Sequence, residues 1–147
     1  MGRKKKNKST GQQDNPPLQV QGNGRGPKIE EKKSKFVGTA FVVTNKAEVR
    51  QRVAEVQSEL SKATHNAWAA RVLVGGEVWS DGSDDGEVSG CAGKPILYFL
   101  EMANIVNTLV VVTRYYGGIH LGPAGLVKMY SSTAKDIVER IGTIPLK

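Results

Sequence analysis

The run Ile105–Thr113 (IVNTLVVVT) limits the fold more than any other part of the chain. It is β-branched or apolar at positions of both parities, so a strand here has no wet face and reads as central and covered on both sides. A central strand needs neighbours. Phe36–Val43 (FVGTAFVV) and Asn66–Val74 carry the right residue types, and Gly75-Gly76 is a tight turn into a short strand over Glu77–Ser80.

The remaining apolar residues fall at helical spacing. Asn45 is a good N-cap with Glu48 three residues on, and Val49, Val53, Val56 and Leu60 make one apolar stripe between Lys46 and Lys62. Pro95 sits where a helix favours its first residue, and Ile96–Ala103 is apolar on nearly every side, which predicts a buried helix. Pro123 opens a last helix with Val127, Tyr130, Ala134, Ile137, Val138 and Ile141 on its inner face and Gly142 at its end. The order is β-α-β-β-α-β-α. Helices on one face of the sheet are the economical cover, so the expected fold is an α+β two-layer sandwich.

A chain of 147 residues holds one ordinary domain, able to fold without disulfides or metals. Cys91 is alone and no Cys/His cluster has zinc-ligand spacing, which suits a reducing compartment and predicts no cofactor or metal. No apolar run approaches a membrane span of about 20 residues, and the N-terminus lacks the apolar core of a signal peptide. The expected location is the cytoplasm.

The charge is unevenly placed. Residues 1–35 hold ten Lys/Arg against three Asp/Glu, while residues 36–147 hold eleven of each, so the whole net charge of +7 lies in the first segment. Leu18, Val20 and Ile29 are the only aliphatic residues between Gly2 and Lys35. The composition predicts a disordered basic tail over 1–35 ahead of a folded domain over 36–147. Arg3, Lys4, Lys5, Lys6 and Lys8 are its candidate electrostatic contacts to a polyanion such as RNA, and a nuclear or nucleolar address is the other use of such a cluster. The plainer reading is that the tail keeps the protein soluble.

Two loops carry the candidate chemistry. The first, Ser80–Pro95, contains Asp81, Asp84, Asp85 and Glu87 among glycines and serines. The acids could hold Mg²⁺ or act as acid/base groups, or they could serve as turn formers bonded to nearby backbone. The second, Thr113–Lys128, joins the central strand to a helix start, where free N–H groups and a helix dipole favour an anion. Arg114, His120 and Lys128 could bind a phosphate there, with Lys94 from the first loop, while Tyr115 or Tyr116 could stack a base. Gly117 and Gly118 carry the corner. The spacing matches neither a P-loop nor a Rossmann fingerprint. Strand alternation predicts that one of Tyr115 and Tyr116 is buried.

The segments Ser83–Leu97 (SDDGEVSGCAGKPIL) and Val110–Ser131 (VVVTRYYGGIHLGPAGLVKMYS), with Ala63–Val72 and Lys32–Val42, resemble the paired signatures of the IMPACT/YigZ family over about Lys32 to Gly142. The resemblance implies the sandwich shared with a small-subunit ribosomal protein domain and with domain IV of elongation factor G. It also implies translational regulation. Eukaryotic members restrain the amino-acid-starvation kinase by competing for its ribosome-bound co-activator, whereas a nucleic-acid-binding role for bacterial members rests on fold analogy. Relatives carry an RWD or a ferredoxin-like domain besides. Val88 stands where bacterial members often have proline, and Pro123-Ala124 departs from their small-Gly pair.

Three functions follow as expectations. The first is a non-catalytic module contacting the ribosome, RNA or a ribosome-associated factor, the co-activator of the starvation kinase among them. The second is an enzyme acting on a phosphorylated or nucleotide substrate through a metal on Asp84, Asp85 and Glu87. The third is a protein-directed regulator whose tail is a localisation signal. No complete nucleophile–base–oxyanion set can be assembled, which favours the first.

Overall fold

The computed structural model describes residues 15–146. In chain order the elements are β1 (Leu18–Val20), β2 (Gly24–Arg25), β3 (Ile29–Glu31), β4 (Ser34–Val42), α1 (Lys46–Glu59), β5 (His65–Val74), β6 (Glu77–Ser83), α2 (Gly93–Met102), β7 (Thr108–Tyr115), α3 (Gly122–Ile141) and β8 (Thr143–Pro145). The main sheet runs β2-β4-β7-β5-β6 with β3 also on β4, and all its pairings are antiparallel. β7 lies between β4 and β5, the central position its two-sided apolarity demands.

That two-sidedness decides the layering. Phe36, Ala40, Ala67, Ala69, Val110 and Val112 face a core closed by α2 and α3. The opposite parity, with Phe41, Ala70, Val72, Leu109 and Val111, faces a second core closed by Val49, Val53 and Val56 of α1. The α+β class and the order of the long elements are as expected, but α1 covers the other face, so helices lie on both sides. Small residues let α3 come close to the sheet: a Cβ on Gly38 would lie 2.9 Å from Cγ2 of Ile137.

Helix starts follow local chemistry at one end and long-range chemistry at another. Asn45 Oδ1 accepts the Glu48 N–H at 2.8 Å, the first bond of a capping box, while Glu48 reaches back one residue further, to the Thr44 N–H at 2.7 Å and its hydroxyl at 2.8 Å. α2 begins two residues before Pro95 because Asp84, far upstream, accepts the N–H groups of Ala92 and Gly93. On α3 the buried stripe takes Leu126 and Met129, while Val127, expected inside, is 39% exposed. The stripe is centred on Tyr130, Ala134 and Ile137, which turns Val127 outward.

The boundary expected at residue 35 is corrected. Residues 18–31 form three strands, Val20 is fully buried, and β1 pairs with β8. The Leu18 N–H bonds the Asn104 carbonyl, and the Val106 N–H bonds the Leu18 carbonyl. These backbone bonds order a segment too poor in apolar residues to order itself. Arg3, Lys4, Lys5, Lys6 and Lys8 lie outside the described residues. No helix among the described residues is long and apolar enough to cross a membrane.

Candidate functional site

The two loops meet at one end of the sheet, around the last residues of β7. Arg114 is 4% exposed there. Its Nη1 donates to Glu87 Oε2 at 2.8 Å, and its Nε and Nη2 both donate to Ser34 Oγ at 3.2 Å. The same Glu87 oxygen accepts the Tyr130 hydroxyl at 2.7 Å, and the other oxygen accepts the Val88 N–H at 3.2 Å. Ser34 Oγ also accepts the Gly117 N–H, which ties the second loop to the start of β4. A buried ion pair stands only when its remaining donors and acceptors are satisfied, and this one is bonded from three elements and both loops.

The electrostatics agree with that geometry. Burial alone would raise the Glu87 carboxyl, but the Tyr130 hydroxyl, the Arg114 guanidinium, the Val88 N–H and the His65 charge together hold it below the ordinary carboxylate value. Burial, and then the adjacent Glu87 carboxylate, push the Tyr130 phenol far up, so it remains a donor. His65 faces Glu87 Oε1 through Nε2 at 3.6 Å, an ion pair when the ring is protonated. Its Nδ1 lies 2.9 Å from the Asp85 carbonyl, which can only accept, so Nδ1 carries a proton.

The acids of the first loop are turned to the backbone. Asp84 accepts the N–H groups of Gly90, Ala92 and Gly93. Burial opposes its ionisation, but these bonds and the Lys94 charge prevail and lower its carboxyl. Asp85 Oδ2 accepts the Asn66 N–H at 2.7 Å and so fastens the loop to β5. Among the described residues no group of three or more His, Cys, Asp and Glu side chains is placed to hold a metal ion. Asp84, Asp85 and Glu87 thus do not fit the Mg²⁺ site that their spacing allowed.

What remains outward is different. Tyr116 is 42% exposed, with the Arg114 guanidinium carbon 5.2 Å from its ring centroid and the His120 ring 5.7 Å away at a tilt of 31°. Tyr115 is half-buried under Lys28, whose Nζ lies 5.3 Å from the ring centroid. Neither tyrosine is buried, contrary to expectation, because β7 ends at Tyr115 and alternation no longer governs the next residue. The buried tyrosine of the site is Tyr130. His120, Lys94 and Lys128 are exposed. Between the loops, a cleft of about 250 Å³ is floored by Glu87 and Arg114 and rimmed by Val88, His120, Leu121 and Pro123. Among the described residues no side chain caps α3 at this cleft, so the helix start presents the positive end of its dipole there.

Arg114, expected at the contact surface, is therefore turned inward. Sequence reading missed Ser34, assigned to the tail, and the roles of His65 and Tyr130, whose partners lie tens of residues away.

The profile of the Impact N-terminal domain matches residues 32–138. The chain is 34% identical over 115 residues to the IMPACT family member YvyE of Bacillus subtilis (strain 168), covering 78% of this chain and 52% of that protein. A crystal structure of a hypothetical protein superposes with a TM-score of 0.80 at 31% identity, over 90% of this chain and 65% of that one. The two-domain translational regulator Yih1 superposes with a TM-score of 0.57 at 28% identity, over 95% of this chain and 55% of Yih1. The chain spans about half the length of the curated relatives it matches.

Proposed function

Because the chain belongs to the Impact N-terminal domain family, we propose that it is a translation-regulating binding protein that acts by contact and not by catalysis. The observation that carries this reading is the brace of Glu87, Arg114, Tyr130 and Ser34. It bonds Glu87, Arg114 and Tyr130 to one another inside the fold, and leaves Tyr116, His120, Lys94 and Lys128 facing outward as a contact surface. The likeness to Yih1, itself a translational regulator, supports the cellular setting. The partner class is the ribosome, its RNA or a ribosome-associated factor, such as the co-activator of the starvation kinase. The residues of the tail, Arg3 to Lys8, add charge for such a partner.

The metal-dependent alternative loses its support, since Asp84 and Asp85 are occupied by backbone N–H groups and Glu87 by Arg114 and Tyr130. The test is capture of the tagged full chain from lysate, with and without RNase, followed by sedimentation. Co-sedimentation with ribosomal fractions supports the reading, and RNase separates RNA-borne from protein-borne contact. A chain that migrates alone under both conditions overturns it, as does turnover of a phosphorylated substrate by the pure protein.

A further inference from the structure

The hairpin joining β3 to β4 has a two-residue turn. Glu31 pairs with Ser34, and the residues between, Lys32 and Lys33, have φ of 47° and 67°. Two positive φ angles make a turn of the type that favours Asn-Gly, and lysine adopts it at a cost in stability. The turn holds both ammonium groups outward, since Lys32 and Lys33 are exposed. It is also fixed against the second loop. A Cβ on Gly117 would collide with the Lys33 carbonyl, and the Gly117 N–H bonds Ser34 Oγ at 3.2 Å. Lys28 sits over the Tyr115 ring, and Lys35 lies opposite Tyr115 in the β4–β7 register.

Lys28 and Lys35 thus border Tyr115, the exposed Lys32-Lys33 turn lies against Gly117, and Tyr116 pairs with the His120 ring in the same loop. Glu30, opposite Lys35, and the half-buried Glu31 are the acids within residues 28–35, which keep a net charge of +2. Ammonium groups close to partly exposed aromatic rings are what single-stranded nucleic acid requires: charge for the phosphates and π surface for the bases. An acidic peptide would use the lysines and leave the rings unused. We propose that the Lys32-Lys33 hairpin, together with Lys28, Lys35, Tyr115 and Tyr116, forms a binding rim for single-stranded RNA. The inference rests on the binding function proposed above and names its surface.

The test is fluorescence anisotropy of the full chain with a short labelled oligouridylate across a salt series, beside a labelled poly-glutamate peptide. The variant K32N/K33G removes two charges while giving the turn its preferred residues, so it folds at least as stably as the parent, which a thermal melt checks. Because residues 1–14 are common to both proteins, the difference isolates the hairpin. Its slope of log K against log salt is expected to be shallower by about 1.4, at about 0.7 per lost phosphate contact. Tyr116→Ala is expected to bind the oligonucleotide about tenfold more weakly, within the range for one lost base stack. An unchanged slope and affinity in both variants overturns the rim. If such variants still co-sediment with ribosomal fractions, the wider binding function stands without it. Equal binding of poly-glutamate with equal loss in the variants also overturns the RNA assignment, making this a surface for acidic protein.

Discussion

Removing Arg114 tests whether the centre of the site is a brace. Arg114→Ala deletes one charge-assisted bond to Glu87 at 2.8 Å and two bonds to Ser34. It leaves a buried carboxylate without its counter-charge, and removing one partner of such a pair costs about 3–5 kcal/mol. Glu87 keeps the Tyr130 hydroxyl and the Val88 N–H, so the lower end, about 3 kcal/mol, is expected. In a chain of this length that lowers the melting temperature by roughly 10 °C. The pH dependence supplies a second reading. In the parent the Glu87 carboxyl lies below its ordinary value of 4.5, so its contribution is present above that value and lost as pH falls through the lower folded one. In Arg114→Ala burial dominates and the carboxyl rises, so the folded state gains on protonation. The stability gap between the two proteins should narrow as pH falls from neutrality toward 4.5. Thermal melts at several pH values measure both effects. A melting temperature within about 2 °C of the parent, less than 1 kcal/mol, with weakened partner binding, would refute the brace and return Arg114 to the contact surface.

Three further outcomes follow from the packing. Asp84→Ala removes the acceptor for the Ala92 and Gly93 N–H groups at the start of α2 and for the Gly90 N–H in the loop before it, and should cost about 2 kcal/mol by urea denaturation, the upper end for a helix cap. Leu126→Ala should cost about 2–5 kcal/mol, whereas Val127→Ser should stay within about 0.5 kcal/mol; the reverse ranking would put the wrong face of α3 inside. Val20→Ala should cost about 1.5–3 kcal/mol as a buried apolar truncation, and a chain begun at Lys32 should melt lower still. Parental melting in both would return residues 18–31 to a tail that adds nothing to the fold.

The sequence disclosed those elements whose signal is local. The stripe of Val49, Val53 and Val56, the Asn45 cap and the Gly75-Gly76 turn each sit within a few residues, and each appears where expected. The two-sided run that ends in β7 even carried the information that both faces of the sheet are covered. Placing every helix on one face overlooked what Leu109 and Val111 require. Strands β1 to β3 left no local trace, because Leu18, Val20 and Ile29 are too few to make a pattern and their order comes from backbone partners such as Asn104, Val106 and Phe36. The same limit governs the site. Charged residues gathered in a glycine-rich loop look alike whether they bind a ligand or one another. What separates the cases is whether each donor already has an acceptor. Arg114 finds Glu87 across 27 positions and Ser34 across 80, separations at which composition and periodicity carry no information. Reassigning Ser34 from tail to β4 changes the site as well as the fold, since its Oγ accepts from Arg114 and from Gly117. It places Lys32 and Lys33, which looked like the end of a solubilising tail, in a tight turn packed against Gly117 of the second loop.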